Sequence, residues 1–142
     1  MSTNLDDNLR SVFAGIADIL IPAAEGMPAA TEVGVHETLV DRILGLRPDL
    51  REAFMRGLKA SEGKDPKSAA EHLNSSDAAA LGAIGLVASA GYYMTPRVRE
   101  LIGYTGQESR AEADPDATPE YVANGMLQQV IDRGAMFKPT PR

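Results

Sequence analysis

A chain of 142 residues with a net charge of −6, no cysteine and no tryptophan can build one core, and it excludes disulfides, thiolate metal centres, iron–sulfur ligation and attached c-type haem. Its basic residues are scattered apart from the neighbours Arg97 and Arg99, so no phosphate-tracking stripe exists and nucleic acid is not an expected partner. Much of the 44% apolar content is alanine, which removes little area from water per residue, so the core has to close through many tight contacts.

Leu5, Leu9, Val12, Phe13, Ile16, Ile19 and Leu20 recur at steps of three and four, which predicts an amphipathic helix ended by Pro22. A loop over 22–31 follows, punctuated by Pro22, Gly26 and Pro28. Leu39, Val40, Ile43, Leu44 and Leu46 mark a second helix that stops near Pro48. Leu50, Phe54 and Leu58 mark a third, with Arg51, Arg56, Lys59 and Glu62 on its polar side. Asp65-Pro66, Thr95-Pro96 and Thr118-Pro119 each pair a capping side chain with proline at the first helical position, where its missing N–H costs nothing. Ser75 or Ser76 is a candidate cap for a helix running through Ala90. That segment, the most apolar in the chain, is short for a bilayer and reads as a buried helix. Its Ala78, Gly82, Gly85 and Ser89 form a stripe of small residues that predicts close packing, within the chain before a partner.

Residues 107–117 turn polar and acidic and read as a surface loop. Tyr121, Val122, Met126, Leu127, Val130 and Ile131 then give one last apolar-faced helix. No alternating run bounded by hairpin turns appears. The expectation is an all-α protein: a single compact multi-helix domain over 1–136 with long irregular loops, and an extended, proline-restricted tail over 137–142.

The chain carries no glycine-rich dinucleotide fingerprint and no phosphate loop. His36 and His72 lie in unrelated segments; His36 reads as structural and His72 as solvated. Asp6/Asp7 and Asp114/Asp116 sit in capping or loop contexts, and a calcium loop's glycine and terminal glutamate are missing. No catalytic, cofactor-binding or metal-ligating residue is assigned. The most distinctive local feature is Tyr92-Tyr93 with Tyr104 downstream, an aromatic group suited equally to an interface and to closing a helix end on the core.

Three stretches taken in order carry a resemblance. Ala17-Asp18-Ile19-Leu20-Ile21-Pro22 leads through a loop to Thr31-Glu32-Val33-Gly34-Val35; Gly91-Tyr92-Tyr93-Met94-Thr95-Pro96-Arg97-Val98 follows; Gly103-Tyr104-Thr105-Gly106 completes the set. Over about the first three quarters of the chain this resembles the gluconate 2-dehydrogenase subunit 3 family, the small subunits of flavin-dependent sugar and polyol dehydrogenases. The ending around Arg133-Gly134 is similar to small subunits that accompany glycoside 3-dehydrogenases.

The resemblance implies a non-catalytic subunit that clamps a large FAD-binding subunit of the glucose–methanol–choline type. That partner oxidises a sugar, glycoside or polyol alcohol, and a cytochrome c or another acceptor takes the electrons. FAD is expected in the partner and no cofactor in this chain. Pro22, Val33, Val35, Tyr92, Tyr93, Pro96, Tyr104 and Phe137 are the residues expected against it. Many family members begin with a twin-arginine export signal, and the N-terminus as written has none. The expectation is therefore a cytoplasmic chain, or a periplasmic one exported with a signal-bearing partner. The alternative is a self-associating helical scaffold with no flavoprotein partner.

Overall fold

A computed structural model describes residues 5–107 and 117–136. They are all-α as expected, with no strand among the described residues beyond an isolated antiparallel bridge between Ala24 and Met27. Contacts divide the chain into two units, Met1–Gly106 and Gln107–Arg142.

In the first unit, α1 (Asp7–Leu20) starts where the Asp6 carboxylate accepts from the Leu9 amide at 2.8 Å. Leu9, Phe13, Ile16 and Ala17 make its buried stripe. A short 3₁₀ turn (Thr31–Val33) leads to Gly34, whose φ of 72° starts a wide helical turn (Val35–Leu39). Glu37 interrupts that turn with φ −82° and ψ −112°, so its carbonyls cannot all find helical partners before α2 (Val40–Leu46) begins.

Arg10 repairs the break. Its guanidinium donates to the His36 carbonyl at 2.8 Å, to the Glu37 carbonyl, to the Leu5 carbonyl at 3.2 Å and to Asp41 Oδ2 at 2.9 Å. Asp41 Oδ1 in turn accepts from the Leu5 amide at 3.3 Å. One cation thus ties α1 and the segment before it to the wide turn and α2. The two side chains are 19% and 24% exposed, so water competes weakly for these bonds.

A 3₁₀ turn at Pro48–Leu50 joins α2 to α3 (Arg51–Ser61). Next come α4 (Pro66–Ser76), α5 (Ala78–Met94) and α6 (Pro96–Leu101). Asp65 and Thr95 cap α4 and α6 as read from sequence, accepting from the Ser68 and Val98 amides at 3.1 and 3.4 Å. Neither candidate serine caps α5: the Ser75 and Ser76 hydroxyls donate back to the His72 carbonyl, and Asp77 does the capping, accepting from the Ala80 amide at 3.1 Å. The same carboxylate takes Arg56 Nε at 2.7 Å, which joins α3 to the start of α5. That guanidinium, with the Ala80 amide, holds the Asp77 carboxyl below its ordinary range.

α5 is the hub, packed against α1, α2, α3, α4 and α6. Phe13 and Phe54 meet edge to face with ring centres 5.2 Å apart, and Leu44, Leu58, Leu73, Ile84 and Val87 fill the space around this core. A Cβ on Gly57 would stand 3.0 Å from Ala80 Cβ and Ile84 Cδ1, so α3 and α5 touch nearly backbone to backbone.

In the second unit, the expected last helix is two short pieces, α7 (Glu120–Ala123) and α8 (Gln128–Arg133). Asn124-Gly125 breaks it, with φ of 78° at Gly125 and the Asn124 side chain accepting from the Met126 amide. Thr118 does not cap α7, because Pro119 itself occupies the cap position. Among the described residues, no helix is long and apolar enough to cross a membrane.

Replacing Arg10 by Ala should cost about 2–4 kcal/mol, since several carbonyls and Asp41 lose a charged donor together. Arg10→Lys should recover only part of this, because an ammonium lacks the guanidinium's fork. Urea unfolding of the three proteins measures it, and equal midpoints would refute the role given to Arg10.

Candidate partner interface

Ala78–Met94 contains no charged residue and is apolar on every side. Such a helix is normally covered all round. Here Ala80, Ala83, Ile84, Val87, Ala88, Gly91 and Tyr92 are buried, while Leu86 is 50% and Tyr93 56% exposed. Among the described residues, nothing lies within 4 Å of where a Cβ on Gly82 would stand, and at Gly85 only Leu20 Cδ1 comes near, at 3.9 Å. Leu20 and its neighbour Ile19 are themselves partly uncovered. The small-residue stripe therefore does not pack within the first unit, contrary to expectation. The close approach is made by Gly57 and Gly91 instead. The burial expected for this helix holds on its inner side only.

Beside the end of α1 stands a tight hairpin over 22–27. Ala24 and Met27 exchange backbone hydrogen bonds of 3.1 and 2.8 Å, and both central residues, Glu25 and Gly26, take positive φ. Its base is held from several directions. The Ala30 amide donates to the Ile21 carbonyl at 3.1 Å. Asp18 accepts from both the amide and hydroxyl of Thr31, at 2.8 and 2.6 Å. The Tyr92 hydroxyl donates to the Pro28 carbonyl at 2.7 Å.

The eight residues named from sequence separate by this geometry. Pro22, Tyr93, Pro96 and Tyr104 are exposed, and Val33 is half-buried against the core. Val35 and Tyr92 are buried, so they serve the chain's own packing rather than a surface. A Cβ on Gly91 would sit 2.9 Å from Val35 Cγ1, which is how closely the first two motif stretches approach. The third stretch stays at the surface, where the Tyr104 amide donates to the Arg99 carbonyl and the ring is half exposed. Phe137 lies outside the described residues.

Tyr93 leans edge-on against Tyr92, with ring centres 5.5 Å apart. Arg99 closes the end of α5 beneath it, donating to the carbonyls of Tyr93 and Met94 at 3.2 and 2.8 Å. Sequence reasoning missed Leu86 as an exposed position; the signal was the absence of any charge in α5, which left no polar side to face water. Among the described residues, His36 Nδ1 is buried and finds no hydrogen-bond partner, and the residue's carbonyl is one of those Arg10 holds. Among the described residues no group of three or more His, Asp and Glu is placed to hold a metal ion. What the surface offers is a neutral, apolar helix side, with a proline-edged hairpin following directly from α1.

Two measurements test this description. Gly91→Ala should lower the melting temperature because its methyl meets Val35, whereas Gly82→Ala should leave it unchanged or raise it, adding about 1 kcal/mol of helix propensity in open space. Matching shifts would contradict the assignment of inner and outer sides. Burial, with a smaller contribution from Tyr93, raises the Tyr92 phenol above its ordinary value of 10.0. The unfolded chain then loses this proton first, so Tyr92's contribution to stability is fully present below about pH 10 and falls as pH rises beyond it. Alkaline unfolding of Tyr92→Phe should show a weaker fall, and an unchanged profile would refute it.

Compared with protein-family models, curated proteins and solved structures, the chain finds no match.

Proposed function

We propose that this chain is a non-catalytic accessory subunit that binds and stabilises a large FAD-dependent dehydrogenase of the glucose–methanol–choline type, acting on a sugar, glycoside or polyol alcohol. The observation that supports this most is the uncovered outer side of α5, a helix with no charge that leaves Leu86 and Tyr93 half in water. Burying a large apolar side chain contributes roughly 1.5–3 kcal/mol, so covering these two and Leu20 favours association by a few kcal/mol before its costs. The motif resemblance supplies the kind of partner. Asp18, Pro22, Thr31, Gly91, Tyr92 and Tyr104 carry it. The exposed Pro22, Tyr93, Pro96 and Tyr104 are the contact residues in this reading, joined by Leu20 and Leu86.

A second reading places another copy of the same chain on α5. The open space beside the exposed Gly82 favours it, since a glycine on an uncovered helix side lets a second helix come close.

Affinity purification of the full chain from its native host separates the two. A much larger partner carrying flavin absorption near about 450 nm, and oxidising sugars or polyols, is the expected result. Elution alone and colourless would overturn the accessory role. Light scattering at twice 15.1 kDa would then favour the second copy. Leu86→Asp and Tyr93→Ala should leave the helical circular dichroism unchanged, because both side chains are half exposed, while weakening assembly about tenfold or more. Undiminished co-elution of both variants would rule out α5 as the docking side.

A further inference from the structure

We draw no further inference here: the strongest candidate, the open groove along α3 lined by Pro48, Arg51, Met55, Arg56 and Lys59, has its Arg56 guanidinium already held by Asp77 and Glu52, and nothing in the structure shows what covers it.

Discussion

Close approach of helix backbones is the constraint on which the first unit rests. With three phenylalanines and no tryptophan, the chain cannot fill wide gaps between helices. It brings α3 onto α5 at Gly57 and Ala80, and the wide turn onto α5 at Val35 and Gly91. A side chain larger than hydrogen would meet Ala80 and Ile84 at Gly57 and Val35 and Ile43 at Gly91, so these neighbours would have to shift. The inner side of α5 is therefore committed to close contacts at Gly57 and at Gly91. Its outer side is left with Leu86 and Tyr93 half exposed.

The price of the second close approach is a break in the backbone. For Val35 to meet Gly91, the chain leaves its 3₁₀ turn through Gly34 and then interrupts the next turn at Glu37. Carbonyls freed there would be costly without donors. A lysine would bring one compact charge, while Arg10 brings a flat array of donors that reaches two carbonyls of the turn, the Leu5 carbonyl and Asp41 together. The polar cluster and the apolar contact are thus two halves of one arrangement, lying either side of the same turn.

How much of this was legible in the sequence differs by element. α1 was plain because its apolar spacing, its Asp6 cap and Pro22 all agree. The caps at Asp65 and Thr95 were equally readable, since each precedes a proline. Thr118-Pro119 has the same spelling and a different outcome, because the helix begins one residue later and Pro119, not Thr118, stands at the cap. The break at Asn124-Gly125 was written in the sequence as a turn dipeptide but was outweighed by the apolar spacing on either side. Arg10 could not have been found, as its partners stand as far as 31 positions away and three of them are backbone carbonyls. For the candidate interface, Tyr92 and Tyr93 show the limit of periodicity. Adjacent positions at a helix end send one ring inward and the other outward, and only the contact with Pro28 decides which.

The hairpin over 22–27 is bound at its base by Asp18, Ile21 and Tyr92, and its tip is already turned through two residues of positive φ. A segment held in this way has surrendered its conformational freedom during folding rather than at the moment of contact. A partner docking there, as proposed, would meet backbone already tied by these hydrogen bonds, so little ordering entropy would be lost on association. The hairpin's contribution to a complex would then be felt in how often a collision has the right orientation, with the lifetime left to the apolar contacts.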